Sequence, residues 1–258
     1  MDKNRKRKII EKEIYNKSDE DTARPKWGEQ WDRELMNYLL YENSLKRVKH
    51  LANMYFKGKD CLILGGGPGE SYIFKDGLCN SITLINISEK EIENAKTKYP
   101  KHTQFVMGDA EMMNFKDNSF DIVICQGVLH HLNLTTALSE IKRVLCSQGV
   151  LFIAMEPCAL NPIAFIGRKF FPSNIHTPDE KPFIVRDFKN KLKKENFKEI
   201  VFEHFYLVSH SVPIFAKFTG IRNLRWLIDI LVLFERFLFK TPLSELCWNF
   251  TAVYQKIE

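Results

Sequence analysis

Short apolar runs alternate with longer stretches of helical periodicity through the middle of the chain. Cys61–Leu64, Ser81–Ile87, Thr103–Met107, Ser119–Cys125 and Val150–Met155 are short apolar runs, most of them rich in Ile, Leu and Val, with Gly, Asn, Asp or Pro near their ends. Runs this short between turn residues predict buried strands. A helix is predicted to open at Ser88, where Glu91 three residues on completes a capping-box pattern. Leu134, Ala137, Leu138, Ile141, Val144 and Leu145 recur at helical spacing, which predicts a helix over Leu134–Cys146 that stops at Gln148-Gly149. Further helices are predicted over about 32–56 and 184–195, and strands over about 197–208 and 246–257. The alternation predicts an α/β protein with a doubly wound, mostly parallel seven-stranded sheet and helices on both faces.

Ligands of such sheets bind outside the carboxyl ends of the strands. The first run passes directly into Gly65-Gly66-Gly67-Pro68-Gly69. Glycines at 65, 67 and 69 let the backbone turn sharply and approach a ligand with no side chain between. A helix after them would point free N–H groups at that ligand. Dinucleotide folds need Gly-x-Gly-x-x-Gly, but the last place falls on Glu70 when counted from Gly65 and on Tyr72 when counted from Gly67. That spacing argues against a nicotinamide oxidoreductase and for another nucleotide-like ligand. The third run ends in Gly108-Asp109-Ala110, the fourth leads into Gln126-Gly127-Val128-Leu129-His130-His131-Leu132, and the fifth ends in Glu156-Pro157.

This ordered set resembles the class I S-adenosylmethionine-dependent methyltransferases, in particular the small-molecule branch with the type 11 methyltransferase domain. Leu64–Gly69, Gly108-Asp109-Ala110, Ser119–Val123, Val128–Leu132 and Arg143-Val144-Leu145 with Gly149 carry the resemblance, which is close over about residues 35–157. It implies a Rossmann-like methyltransferase fold and S-adenosyl-L-methionine as cofactor. By the same resemblance, Gly65, Gly66, Gly67 and Gly69 flank the methionine part. Asn86 and Ile87 hold the ribose and the adenine face, Asp109 and Ala110 the adenine edge, and Gln126 lies beside the methionine amino group and the sulfonium.

Two positions depart from the family. Its usual acid two places before the first glycine is Ile63, and its usual Asp or Glu at the end of strand two is Asn86. A carboxylate accepts two charge-assisted hydrogen bonds from ribose hydroxyls, whereas Asn offers one carbonyl and one amide. On that reasoning Asn86→Asp is expected to keep or improve cofactor binding. The departures also leave open a non-catalytic nucleoside- or S-adenosylmethionine-binding module that has lost activity.

His131, then His130 and Glu156, are the candidates for a general base, which the reaction needs only if the nucleophile must lose a proton. His176 is a further candidate. The competing reading of the histidine pair is scaffold. The remaining histidines (50, 102, 204 and 210) show no ligand spacing with Cys or carboxylates, so no metal is implied.

Composition adds limits. Six cysteines without a Cys-x-x-Cys pair read as reduced core residues of a cytoplasmic protein. No apolar segment follows the basic N-terminus, so no signal peptide is expected. The net charge is +6, and five of residues 3–8 are Lys or Arg. This stretch reads as a solvated, frayed terminus in preference to an anchor on an anionic surface. No aromatic–basic platform stands out, so a nucleic-acid substrate is not expected.

The chain divides into a basic tail and cap segment (1–31, with Tyr15, Trp27 and Trp31), a core (32–208), an apolar helical insertion (209–245) and a last core strand (246–258). Residues 158–183 contain four prolines and form a long connection suited to substrate contact. Apolar residues dominate 221–239, but Arg222, Arg225, Asp229, Glu235 and Arg236 interrupt the stretch too densely for a membrane span. A lid over the substrate pocket is the preferred reading, with a homodimer surface or peripheral membrane contact as alternatives. The apolar loops favour a small hydrophobic or amphipathic acceptor.

Overall fold

The structure is a computed structural model and describes residues 3–17, 31–66, 71, 73–74, 77–170 and 180–258. The apolar runs form one sheet from β1 (Asp60–Leu64), β2 (Ser81–Asn86), β3 (Gln104–Met107), β4 (Phe120–Gln126), β5 (Leu145–Pro157), β6 (Phe197–Phe205) and β7 (Asn249–Lys256). Their order is β3-β2-β1-β4-β5-β7-β6. β1 to β5 pair in parallel, and β7 runs antiparallel between β5 and β6. The chain steps outward from β1 to β3 and then returns to β4 on the other side of β1. This reversal opens a crevice at the carboxyl ends of β1 and β4.

The middle strands are covered on both faces, which is why they read as unbroken apolar runs and not as alternating ones. Leu62, Leu64, Val123 and Cys125 point to one core, with Leu138 and Ile141 of helix α5 (Leu134–Val144). Cys61, Ile63, Ile122 and Ile124 point to the other, with Val48, Leu51 and Phe56. Burying each such aliphatic side chain contributes about 1.5–3 kcal/mol. Ile63, the residue in place of the family's acid, is fully buried in this second core.

The other helices are α1 (Lys3–Lys17), α2 (Arg33–Leu39), α3 (Lys46–Tyr55), α4 (Glu89–Lys96), α6 (Pro162–Phe170), α7 (Val185–Lys194), α8 (Val212–Thr219) and α9 (Arg225–Leu238). Asp32 caps α2 by accepting from Leu35 N at 3.0 Å, and a π-helical turn over Leu40–Leu45 joins α2 to α3. Ser88 Oγ caps α4 by accepting from Glu91 N at 3.2 Å, as the capping pattern predicts.

Several boundaries differ from the sequence reading: β6 ends at Phe205 and not near 208, and β7 begins at Asn249 and not near 246. α5 ends at Val144, and β5 begins at Leu145 and not at Val150. Leu145 continues the helical spacing but already pairs with Phe120 in the sheet, so the strand partner wins over periodicity. The basic N-terminus, read as frayed, is the helix α1, and its contacts lie in the crevice described below.

The insertion contains α8 and α9, which pack with α2 in a third cluster around Leu35, Leu39, Tyr206, Val212, Ala216, Leu224 and Ile228. Trp31 joins this cluster edge-on to Trp248, with ring centroids 5.8 Å apart. All six cysteines are free thiols; Cys158 and Cys247 touch at 3.0 Å between sulfurs, and Cys61 and Cys79 at 3.3 Å. Among the described residues no helix is long and apolar enough to cross a membrane.

Candidate active site

A cavity of about 260 Å³ occupies the crevice at the carboxyl ends of β1, β2, β3 and β4. Six of the residues expected to hold the cofactor line it: Gly65, Asn86, Ile87, Asp109, Ala110 and Gln126. Gly66 lies beneath the surface, where an added Cβ would stand 2.7 Å from Ile63 Cγ2. Gly67, Gly69, Trp27 and His176 lie outside the described residues. Gly65 has φ +61°, and an added Cβ there would meet Val128 Cγ2 at 2.4 Å. Both the turn and the close approach of the loop after β4 therefore require glycine.

Asn86 is not a weakened carboxylate. Its Nδ2 donates to the Gly66 carbonyl at 3.0 Å, and its Oδ1 accepts from Ser88 N at 2.8 Å. The side chain thus ties the glycine turn to the start of α4, a role that an Asp could not fill because it has no donor.

Asp109 Oδ1 accepts from Glu111 N at 2.8 Å, and its Oδ2 pairs with Lys8. Glu111, almost fully buried, pairs with Arg7, accepts from Asn133 N at 2.8 Å and lies 3.2 Å from Lys8 Nζ. Burial acts to lower the Lys8 pKa, but hydrogen bonds and attraction from Asp109 and Glu111 outweigh it and hold the ammonium above its ordinary value. The basic terminus is therefore clamped onto the site by two carboxylates. Ser88 Oγ donates to Asn16 Oδ1 of α1 at 2.7 Å. Sequence reasoning missed Lys8, Glu11, Glu91 and Glu111 as cavity residues; of α1 it singled out only Tyr15, which does line the cavity. The available signal was a pair of acids, Asp109 and Glu111, after an apolar strand with no nearby base.

Of the general-base candidates among the described residues, His131 lines the cavity and His130 and Glu156 do not. Its Nε2 is 3.4 Å from Tyr15 Oη, and its Nδ1 is 3.9 Å from carboxylate oxygens of Glu11 and Glu180. Glu156 is completely buried outside the cavity. It accepts from Val128 N and Leu129 N and meets His130 Nδ1, each at 2.9 Å. Its geometry is that of a bracket that shapes the loop after β4. Gln126, Gly127, Val128 and His131 of that loop face the cavity.

The lining carries the carboxylates of Glu11, Glu91, Asp109 and Glu111 and the ammonium of Lys8, and Arg7 beside the cavity pairs with Glu111 and Glu11. Carboxylates accept hydrogen bonds, which suits a ligand that donates them. His130, His131 and Glu180 also offer ligand atoms within 4.8 Å of one another, a grouping that sequence spacing did not show.

Residues 62–153 match the family model described as a methyltransferase domain. The chain thus contains a region similar to the methyltransferase domain, carried on a seven-stranded sheet of order β3-β2-β1-β4-β5-β7-β6. An uncharacterized protein of Methanocaldococcus jannaschii, MJ0638, is 29% identical over 60% of this chain and 64% of its own length. The mitochondrial arginine-hydroxylase NDUFAF5 of Danio rerio is 36% identical over 36% of this chain and 30% of its own. The chain thus spans less than two thirds of these curated relatives. The geranyl diphosphate C-methyltransferase of Streptomyces coelicolor, solved with Mg2+, geranyl diphosphate and S-adenosyl-L-homocysteine, shares the fold with TM-score 0.62 and 10% identity, over 97% of this chain and 98% of that one.

Proposed function

We propose that the chain binds S-adenosyl-L-methionine in this cavity and transfers its methyl group to a small hydrophobic or amphipathic acceptor. The observation that carries the reading is the side-chain-free turn at Gly65, at the carboxyl end of β1, facing Asn86, Asp109 and Gln126 around one cavity. The residues fit the cofactor: an added Cβ at 65 would close the cradle, and the acidic lining suits a sulfonium and an ammonium.

The bound cofactor would supply an already activated methyl group. The protein's part is then alignment of acceptor and donor, which can contribute roughly 7–11 kcal/mol. Gly65 and Gln126 would hold the methionine part, Asn86 and Ile87 the ribose and adenine face, and Asp109 and Ala110 the adenine edge. Asp109 must share or exchange its Lys8 partner to accept from the adenine amino group. His131 is the base on the cavity wall for an acceptor that loses a proton; His130 and Glu156 position the loop that carries it. Leu160, Phe165 and Ile166, exposed in the segment after β5, support an apolar acceptor.

Titration calorimetry with S-adenosylmethionine and S-adenosylhomocysteine tests the site. Both should bind, and Asp109→Ala should abolish or sharply weaken the heat. No heat from the wild type at millimolar ligand would reject both the enzyme and the binding-module readings. Binding of the cofactor without turnover of any acceptor would favour the binding module. The similarity to an arginine-hydroxylase over 98 residues makes a non-methylating use of this fold the second reading, which a hydroxylation assay on arginine peptides addresses.

A further inference from the structure

We infer that the outer face of α8 and α9 is a docking surface for an anionic lipid bilayer. On an ordinary surface helix the apolar stripe faces the core. In α9 a second apolar stripe faces outward. Trp226, Ile230, Leu233, Phe234 and Phe237 follow the i, i+4, i+7, i+8, i+11 positions of a single face, and each is between 55% and 61% exposed. The inward side is already satisfied: Leu224 and Ile228 are buried, with Leu227, Leu231 and Val232 packed beside them. α8 repeats the arrangement, burying Val212, Pro213 and Ala216 and exposing Phe215 and Phe218, and Ile221 follows in the link between the helices. Exposed apolar surface on this scale marks an interaction site.

The face is held in place and is not a loose segment. Glu235, buried on the inner side of α9, accepts from Val208 N at 2.6 Å, Ser209 N at 2.7 Å and Ser209 Oγ at 2.8 Å. Tyr38 Oη donates to Asp229 at 2.9 Å, and Arg225 pairs with Glu34.

Charge decides the occupant. Residues 212–240 hold two acids, of which Glu235 is buried and Asp229 is exposed and bonded to Tyr38. Five cations around the apolar stripes are exposed: Arg225, which pairs with Glu34, and Lys217, Arg222, Arg236 and Lys240. Aromatic and aliphatic groups ringed by Lys and Arg suit an interfacial helix on anionic lipid, with the apolar face sunk below the headgroups. A second copy across a two-fold axis would instead bring the same five cations against themselves. No residue of this face lines the cavity at β1 and β4, so the inference does not depend on methyl transfer.

Sedimentation of the full chain with vesicles provides the test. Vesicles of equal parts phosphatidylglycerol and phosphatidylcholine should carry it down at low salt. Pure phosphatidylcholine or high salt should weaken binding by about tenfold or more. Leu233→Ser/Phe234→Ser/Phe237→Ser, all exposed positions, should keep the wild-type circular dichroism and lose vesicle binding. Arg222→Glu/Lys240→Glu should lose the preference for anionic vesicles. As an independent readout, vesicles should shift tryptophan emission to the blue in the wild type and far less in Trp226→Phe. Failure of the wild type to sediment with anionic vesicles would overturn the inference, and so would unchanged binding by the triple variant. A wild-type dimer in sedimentation velocity that the triple variant dissociates, without vesicle binding, would assign the face to a second copy.

Discussion

At the scale of single residues, the site is organised by side chains that hold its walls as much as by those that face the ligand. Asn86 bonds the Gly66 carbonyl, so Asn86→Asp sets an acceptor against an acceptor. The free protein should lose about 1–3 kcal/mol in urea unfolding. Added S-adenosylmethionine should narrow that loss, because the new carboxylate gains the ribose hydroxyls. The sequence alone pointed only to the second half of this result. Lys8→Met should tighten S-adenosylhomocysteine binding about two- to fivefold in calorimetry, since it frees Asp109 from a partly buried ion pair worth on the order of 1 kcal/mol. Weaker binding would mean that Lys8 serves the ligand and does not compete with it. Glu156→Gln replaces one of three accepting contacts with a donor and should lower kcat more than cofactor affinity, by misplacing the loop that carries His131.

At the scale of elements, the sequence was legible wherever apolar burial decided the outcome. The strands at 61–64, 81–86 and 120–126 sit where the Ile-, Leu- and Val-rich runs placed them, because a sheet covered on both faces favours apolar positions inside it; β3, at the sheet edge with Gln104 and Met107 exposed, is at its expected place without that burial. The turn residues after those strands supplied most of the cavity wall. Electrostatics decided the parts that were missed. α1 has almost no apolar periodicity, and it is held over the cavity by Arg7 and Lys8 against carboxylates more than 100 residues away. Periodicity cannot show such a pairing. The end of α5 was misplaced because Leu145 satisfies both a helix and a strand, and only its partner Phe120 distinguishes them. Glu235 looked like an interruption of an apolar stretch and is instead a buried cap for the turn after β6. Glu235→Ala should cost about 3–5 kcal/mol in urea unfolding, because it strands two backbone N–H groups and a hydroxyl in the interior.

For the molecule as a whole, acid should act through buried histidines. Burial lowers the His210 pKa from 6.5 to about 3, and burial followed by the nearby Lys189 lowers that of His204 to about 4. Between these values and 6.5 the unfolded chain binds protons that the folded one refuses. Stability is then full above about pH 6.5 and falls with acid by up to about 1.4 kcal/mol per pH unit for each ring, until the folded pKa is reached. His210 stacks on Trp248 with centroids 4.9 Å apart, and among the described residues neither ring nitrogen has a hydrogen-bond partner. His210→Phe should therefore keep the stack and flatten the slope of urea midpoint against pH between 6 and 4. An unchanged slope would place the acid sensitivity elsewhere.

The contact between Gly65 and Val128 has an evolutionary consequence. One wall of the cradle carries only a hydrogen where the opposite wall carries a methyl, so neither residue can grow without the other yielding. Among homologues the first site should stay Gly, because its left-handed φ disfavours a side chain whatever stands opposite, while the second site varies among Val, Ile and Leu that fill the space above it.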